Sequence, residues 1–362
     1  MRTPDFSEFL FTRNDRTLTV SGELFRVCEE NALEIAQRQG TGVVGLVPFD
    51  PQAQPYLVVP ERWEKTPTPQ RPVHKLPQPS SLEGIDNPGY RQAVATAVQK
   101  LNDGELDKVV LARLLHAKYE GQTLDPETVY TNLLAQQPRA FVFSAKLPGS
   151  DRYLMGASPE LVFHSEEGAF TTHPLAGTVS RTALAGSTDD AQLGEALLRS
   201  AKDRAEHATV VDDIRHRLES LTEELHVPAV PSLMATPQLW HLGTKIWGKL
   251  RPGMSSLDGA RAIHPTPAIC GFPTESALDL IQQLENFNRG FFGGLVGWMD
   301  AQGNGEWALV LRCAEVSETQ ATLFAGAGIV EGSTPESEHA ETANKLGSFG
   351  KALGIDTTAI AL

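Results

Sequence analysis

The last helical stretch of the chain carries two acids and a lysine whose spacing places them on one face. Residues 335–353 have helical periodicity, and at about 100° per residue Glu338, Glu341 and Lys345 point the same way. One alternative is a solvated Glu/Lys pair four residues apart, which stabilises a surface helix by a few tenths of a kcal/mol. We favour an inward-facing group, because the same side carries apolar residues. These are Leu346, Phe349 and Leu353.

Glycines crowd the segment just before this helix. Ser333 or Thr334 can cap the helix, and Gly326, Gly328 and Gly332 bring backbone N–H groups toward its start. Such an arrangement suits an anion, although a plain turn between strand and helix explains it almost as well. It does not match a dinucleotide-binding fingerprint, because no βαβ unit with a suitably placed acid follows.

A second group of polar residues lies in a predicted long helix over residues 190–225. Its segment KDRAEHATVVDDIRH places His207 on the apolar stripe and Glu206 at the edge of that stripe. Together with Asp212 and Asp213 these side chains could bind a metal, as in a metallohydrolase. A core histidine flanked by solvated acids is the commoner arrangement, and the helix alone favours it.

Lys108 and Glu160 are the candidates for proton transfer. Lys108 lies in the strand-like run KVVLAR, and Glu160 follows a Ser-Pro turn at the mouth of a strand. Burial generally favours the neutral amine of a lysine and the protonated carboxyl of a glutamate. A neutral amine and a protonated carboxyl are the base and the acid that a proton-coupled elimination and addition require.

Paired strands separated by long helices must position these groups. The pattern predicts an α+β fold with mainly antiparallel sheets, because strict βαβ alternation is missing. Residues 60–79 are rich in proline and predict an exposed connector without helix or central strand. Early strands are predicted over residues 9–12, 17–20, 43–47 and 56–59. Helices are predicted over residues 87–102, 126–136, 257–264 and 275–285.

The composition excludes several classes of protein. With 31 basic and 45 acidic residues, the formal net charge of −14 argues against nucleic acid and anionic membranes as partners. The three cysteines, Cys28, Cys270 and Cys313, form no CxxC pair, so a disulfide framework or zinc site is not expected. The N-terminal segment lacks a signal-peptide pattern and no apolar run is long enough to span a bilayer, so we expect a cytoplasmic protein.

Ordered motifs along essentially the whole chain resemble the chorismate-utilising enzymes of menaquinone, siderophore and tryptophan biosynthesis. The motifs are KVVLAR, GASPEL, PLAGT, KDRAEH, LWHLGT, HPTPAICGFP, FGGLVGW, GNGEWALVLRCA and AGAGIVEGSTPESEHAETANK. The resemblance implies one domain over residues 1–362, with two packed antiparallel sheets and helices outside. Residues 1–85 would form a β-rich part with the proline-rich excursion, and residues 86–362 the catalytic core.

The resemblance also implies a Mg²⁺ site and a site for a dicarboxylate. Glu206 and Glu341 resemble the direct metal ligands, and Glu338 would support them directly or through water. Mg²⁺ suits such oxygen ligands and keeps several waters. The implied substrate-binding residues are Gly177, Thr178, His241, Ala268, Arg312, Gly326, Gly328 and Lys345.

Three positions distinguish the reactions of the family. Relatives that use ammonia carry Gln at the position of Lys108, so a lysine there implies that water is the nucleophile. Aminodeoxychorismate synthases carry a nucleophilic lysine where this chain has Ala176. Enzymes that eliminate pyruvate typically carry Thr at the position of Ala268, so the reaction is expected to stop at isochorismate.

The implied activity is that of an isochorismate synthase, with Lys108 as base and Glu160 as acid. Salicylate synthase is the nearest alternative; a metallohydrolase and a non-catalytic chorismate-binding protein are more distant ones. The product would feed siderophore or menaquinone biosynthesis, with a small preference for the siderophore type. We expect a monomer that needs no amidotransferase subunit.

Overall fold

A computed structural model describes residues 6–68, 72–181, 186–235, 239–356 and 360. Within these ranges it leaves out the side chains of Thr178, Ser180, Lys202, Glu206 and Leu239. No helix in the described ranges is both long enough and apolar enough to cross a membrane.

Helices and strands alternate irregularly along the chain. The first eight strands and three helices are β1 Phe9–Arg13, β2 Arg16–Val27, α1 Glu29–Gln39, β3 Gly42–Val47, β4 Tyr56–Pro67, β5 Ser81–Glu83, α2 Pro88–Asn102, β6 Lys108–Lys118, α3 Pro126–Gln136, β7 Phe141–Lys146 and β8 Tyr153–Ser158. The middle elements are β9 Leu161–Glu166, β10 Ala169–Thr172, β11 Leu175–Ser180, α4 Thr188–Arg199, α5 Ala201–Glu219, β12 Thr222–His226, β13 Ser232–Ala235, β14 Leu239–Gly243, β15 Ile246–Leu250 and α6 Ser256–Ile263. The last elements are β16 Gly271–Phe272, α7 Thr274–Leu284, β17 Leu295–Asp300, β18 Gly305–Leu309, β19 Cys313–Val316, β20 Gln320–Ile329 and α8 Pro335–Gly350.

The described residues cluster into two compact units. Unit 1 takes in the chain up to Glu160, then Pro265–Ala301, then the chain from Ala308 onward. Unit 2 consists of Leu161–His264 and Gln302–Trp307. The chain therefore leaves unit 1 after β8, returns to it before β16, and enters unit 2 once more at Gln302–Trp307.

Unit 1 is built on a continuous antiparallel ladder of strands. Its order is β6, β20, β19, β8, β7, β1, β2, β4, β3 and β17, with β5 and β16 pairing along the second edge of β6. Alternation along a strand sends neighbouring side chains into different cores. Leu10 joins a core shared with α3 and α8, whereas Phe9 and Phe11 join a core shared with β3 and β17.

Unit 2 contains two antiparallel groups of strands and three helices. Strands β9, β10, β15 and β12 pair in that order, and β11, β14 and β13 form a separate three-stranded sheet. Helix α5 packs on the three-stranded sheet through His207, which is 2% exposed. The His207 Nδ1–H donates to the Ala176 carbonyl at 3.2 Å, and Nε2 lies 2.7 Å from the Thr244 hydroxyl.

The predicted α+β class with mainly antiparallel sheets is confirmed, and the helix predicted over residues 126–136 is α3. Two predictions about local structure are wrong. The long helix over 190–225 is two helices, because Ser200 is extended and its side chain accepts the N–H of Asp203 to begin α5, and the residues from Thr222 onward form strand β12. The first part of the predicted connector is strand β4, which tolerates Pro60 at an irregularity in its pairing with β2. The single domain over residues 1–362 stays a prediction.

Candidate active site

Strand β6 brings Lys108 to the edge of unit 1 where β20 ends. The two strands pair along ten residues, with Gly328 opposite Val110. The half-buried Lys108 side chain lies over Gly328, so a Cβ at that glycine would stand 3.0 Å from Lys108 Cε and 3.7 Å from Nζ. The missing side chain of Gly328 therefore makes room for the Lys108 amine.

Glu160 lies two residues beyond the end of β8 in a tight turn. Its N–H donates to the Ser158 hydroxyl at 3.3 Å, and its carbonyl accepts the N–H of Leu309 at 3.1 Å. Burial raises the pKa of the Glu160 carboxyl to about 7, and the nearby positive charges of Lys108 and Arg312 oppose that rise only in part. Near neutral pH this carboxyl can both hold and release a proton.

Arg312 supplies a half-buried guanidinium in the same neighbourhood. Its backbone has φ of +48°, a region that a bulky side chain rarely adopts and that often marks a functional site. The Arg312 carbonyl accepts the N–H of Ala157 at 3.2 Å, which fixes the turn beside β8. Burial lowers the pKa of Arg312, while the charges of Glu341 and Glu160 favour its cationic form.

Helix α8 carries Glu338, Glu341 and Lys345. Thr334 caps the helix through a capping box with Ser337. Lys345 Nζ donates to the Gly326 carbonyl at 2.9 Å and also pairs with the Glu341 carboxylate.

The three residues Glu338, Glu341 and Lys345 differ in how far they are exposed to solvent. Glu338 is 8% exposed, Lys345 is half-buried and Glu341 is exposed. Burial raises the pKa of Glu338 and lowers that of Lys345. The inward-facing group is therefore found for Glu338 and, in part, for Lys345. It is wrong for Glu341, which is exposed and forms the predicted Glu/Lys surface pair with Lys345 four residues on.

The glycine segment differs from the predicted turn at a helix start. Gly326 and Gly328 lie within strand β20, opposite Ala112 and Val110, and only Gly332 lies in the following turn, with φ of +91°. The segment AGAGI is a strand of small residues. Its surface is therefore open to the side chains of Lys108 and Lys345. An anion site at the start of α8 is therefore not formed by these two glycines, and their role in substrate binding stays a prediction.

The α8 carboxylates fit a hard cation. Glu338 Oε2 is enclosed and has no hydrogen-bond donor among the described residues. A buried carboxylate oxygen without a donor is costly unless it binds a proton or a cation. No three His, Cys, Asp or Glu side chains converge in the described part of the chain. The predicted ligand Glu206 belongs to α5, but its side chain lies outside that part.

Ala268 lies in the turn between α6 and β16. The turn is held by the Thr266 carbonyl, which accepts the N–H groups of Ile269 and Cys270, each at 3.1 Å. The half-buried Ala268 belongs to unit 1, as do Lys108 and Glu160.

The remaining predicted substrate contacts lie in unit 2. Gly177 has φ of +78° and stands at an irregularity between β11 and β14. The register places Thr178 opposite the half-buried His241, although the Thr178 side chain is outside the described part. Both ring nitrogens of His207 have protein partners, which supports the interpretation of a core histidine.

The two acids that follow His207 on α5, Asp212 and Asp213, form ion pairs at the surface. Asp212 pairs with Arg215 at 3.0 Å, and Asp213 pairs with Arg217 at 2.9 Å. These pairs span one turn of α5 and are typical of a solvated helix face. They give the metallohydrolase alternative no support.

Sequence reasoning missed Arg113, which joins β6 to α8. The side chain is 1% exposed, and its Nε donates to the Thr342 hydroxyl at 2.8 Å. Its Nη1 donates to the carbonyls of Gly84 and Ile85 at 2.8 and 3.0 Å, and Nη2 donates to that of His339 at 3.4 Å. Burial lowers the pKa of Arg113 to about 10. A charged residue inside the apolar run KVVLARLL was the available signal.

A family model for chorismate binding enzymes matches residues 50–354. The chain belongs to the chorismate-binding enzymes. An isochorismate synthase of Escherichia coli (strain K12) is 38% identical to this family member over 321 residues, which cover 86% of this chain and 81% of the relative.

Two solved structures of isochorismate synthases resemble this chorismate-binding enzyme closely. The 2,3-dihydroxybenzoate-specific enzyme of Bacillus anthracis has a TM-score of 0.81 and 35% identity, covering 97% of this chain and 98% of that one. The menaquinone-specific enzyme of Escherichia coli has a TM-score of 0.82 and 26% identity, covering 96% and 89%. The predicted family is confirmed.

Proposed function

We propose that this chain is a magnesium-dependent isochorismate synthase, which converts chorismate reversibly into isochorismate. The observation that carries the proposal is the half-buried Glu160 carboxyl, whose pKa is raised to about 7 beside Lys108 and Arg312. A proton donor and an amine within reach of its charge are the pair that exchange of a ring hydroxyl requires. The isochorismate synthases that resemble this chain support the same reaction.

In the forward reaction Lys108 takes a proton from a water molecule. The water oxygen forms a bond to C2 of the ring, the ring double bonds shift, and the bond from C4 to its hydroxyl oxygen breaks. Glu160 gives its proton to that hydroxyl, which leaves as water. Lys108 finishes with an added proton and Glu160 finishes ionised, and proton exchange with solvent restores both starting states. The reverse reaction uses the same two groups in opposite roles.

Two cationic side chains of unit 1 offset the negative charge of the protein for a dianionic substrate. Arg312 and Lys345 are both half-buried. The effective dielectric constant around them is lower than that of water, so their charges attract an anion more strongly. We assign one substrate carboxylate to Arg312 and to backbone groups around Gly326 and Gly328. Gly177, Thr178 and His241 complete the proposed substrate contacts.

Glu206 and Glu341 would hold Mg²⁺ directly, and Glu338 would support them directly or through water. The unpartnered Glu338 Oε2 supports this assignment. A bound Mg²⁺ supplies positive charge that stabilises negative charge on the ring carboxylate. The proton transfers remain the work of Lys108 and Glu160.

We assign the enzyme to the siderophore type, which is the type specific for 2,3-dihydroxybenzoate. The identity of 35% to such an enzyme, against 26% to a menaquinone-specific one, supports this choice. Because water is the nucleophile, no ammonia-supplying amidotransferase subunit is needed. We propose a cytoplasmic monomer.

The test is incubation of the purified protein with chorismate and Mg²⁺, followed by chromatographic separation of the products and a metal-free control. Lys108→Ala should abolish isochorismate formation and leave chorismate binding largely intact. Lys118→Ala is the matched control, because Lys118 ends the same strand and pairs with Glu83 at the surface. Near-normal turnover by Lys108→Ala would refute the assignment, and pyruvate release without an added lyase would indicate a salicylate synthase instead.

A further inference from the structure

A buried ion pair outside the proposed catalytic residues follows helix α7. The side chains of Glu285 and Arg289 are each 3% exposed, and Arg289 Nε donates to Glu285 Oε2 at 2.9 Å. The guanidinium also lies over the ring of Phe49, 4.2 Å from its centroid. A buried pair of this kind is often no more stabilising than apolar residues of similar volume, so its contacts with the rest of the unit must explain it.

Both members of the pair bond to the backbone of two other segments. Arg289 Nη1 donates to the Ile269 carbonyl at 2.9 Å, and Nη2 donates to the Val110 carbonyl at 2.6 Å. Glu285 Oε1 accepts the N–H of Ala112 at 2.7 Å. Every one of these bonds is charge-assisted, which makes it stronger than an ordinary backbone bond.

The two segments are those that carry the residues proposed to choose the reaction. Ile269 follows Ala268 directly, and Val110 lies two residues beyond Lys108 on β6. On this edge of β6 strand β16 pairs only with residues 108–109, and β5 pairs only with residues 116–118. The ion pair thus takes the place of a neighbouring strand at two backbone groups of β6, the Val110 carbonyl and the Ala112 N–H.

We infer that Glu285 and Arg289 are positioning residues, which hold the Ala268 turn against β6 and so set where the Lys108 amine stands relative to the bound ring. The inference rests on the proposed function for the identity of the ring. A pair that joined only one of the two segments would stabilise the fold without fixing their separation. This pair bonds to both.

The experiment compares Arg289→Lys with the wild-type enzyme in chorismate turnover. Lysine keeps the charge beside Glu285 but lacks the guanidinium fork that reaches the Ile269 and Val110 carbonyls together. Misplacement of a reacting group by about 1 Å can lower turnover by about 100-fold. We expect kcat to fall about 10- to 100-fold with KM within about threefold. Glu285→Gln, which keeps an acceptor for Ala112, should lower kcat less.

The control is Arg38→Lys in the Arg38–Glu34 pair of α1, which has the same four-residue spacing but exposed side chains. It should leave kcat and the melting temperature unchanged. Because all assays run far below the melting temperature, a purely structural role would leave kcat of the folded Arg289→Lys enzyme near the wild-type value. A kcat within twofold of wild type, or a loss carried by KM alone, overturns the inference.

Hydrogen exchange separates failure of this inference from failure of the proposed function. Wild-type enzyme that makes no isochorismate refutes the proposed function by itself. Arg289→Lys should still speed amide exchange in residues 108–112 and 265–270, including the Val110 N–H that donates to the Cys270 carbonyl at 2.8 Å. Unchanged exchange in both segments overturns the positioning role whatever the substrate is.

Discussion

Replacing Glu160 with glutamine tests the electrostatics of the site directly. Glutamine keeps the shape of the side chain but cannot donate an acidic proton, so isochorismate formation should fall by at least about 100-fold. The same change should stabilise the protein at high pH. The ordinary carboxyl pKa of 4.5 against about 7 in the fold corresponds to about 3 kcal/mol of penalty for the ionised form. Because Glu160 is only half-buried, we expect about 1–2 kcal/mol to be measurable.

The size of this stabilisation depends on pH. A folded-state pKa above the unfolded value means that the folded protein holds the proton more tightly, so stability falls as pH rises from about 4.5 to about 7. Below that window the carboxyl is protonated in both states and carries no penalty, and above it the penalty is complete. Urea unfolding at pH 4.5 and pH 8 should therefore show a stability gain for Glu160→Gln only at pH 8.

The control is Glu64→Gln, because Glu64 is exposed on strand β4. It should change stability by less than about 0.5 kcal/mol at both pH values. An equal gain for Glu160→Gln at pH 4.5 and pH 8, or a loss at pH 8, would refute the burial argument. In the wild-type enzyme the forward rate should decline above about pH 7, as Glu160 loses the proton it must donate.

Three further substitutions test other parts of the site. Gly328→Ala places a methyl 3.0 Å from Lys108 Cε and should lower kcat several-fold with little change in stability. In the control Gly326→Ala the methyl meets no atom nearer than 3.3 Å, so the loss of kcat should be smaller. Equal losses of kcat in the two variants would contradict the proposed position of the Lys108 amine. Ala268→Thr should add pyruvate to the products in a lactate-dehydrogenase-coupled assay, and its absence would remove Ala268 as the determinant. Glu338→Gln should weaken Mg²⁺ binding at least about tenfold in calorimetric titration, and unchanged binding would exclude Glu338 as a ligand.

Local signals in the sequence predicted several helices, including α8, which carries Glu338, Glu341 and Lys345. The caps at Asn87 and Thr334 and the proline at Pro126 mark where α2, α8 and α3 begin, because each satisfies or avoids an N–H group at the helix start. The helical phase likewise predicted that Glu338 and Lys345 lie beside apolar residues, but it was wrong for Glu341, which is exposed. Periodicity and capping are short-range properties, so a single sequence displays them.

The residues that hold these elements together escaped prediction for the opposite reason. The backbone partners of Glu285 and Arg289 on β6 lie 173 and 179 residues away in the chain. Arg113 and Thr342 meet across 229 residues. The apolar run around Arg113 signals that the arginine is buried, but no local pattern identifies its distant partners. Ser200 ended the predicted long helix because one extended residue can cap a new helix without disturbing the apolar stripe on either side.

The pairing of β6 with β20 also constrains how the protein can be made. The ten-residue ladder joins residues about 200 positions apart, and all of unit 2 is translated between them. At about 5–20 residues per second, β6 leaves the ribosome about 10–40 seconds before its partner exists. During that interval the apolar strand has β5 and then β16 along one edge, but nothing along the other. An exposed strand edge invites aggregation, so nascent chains stalled between β6 and β20 should depend on chaperones more than the finished enzyme does.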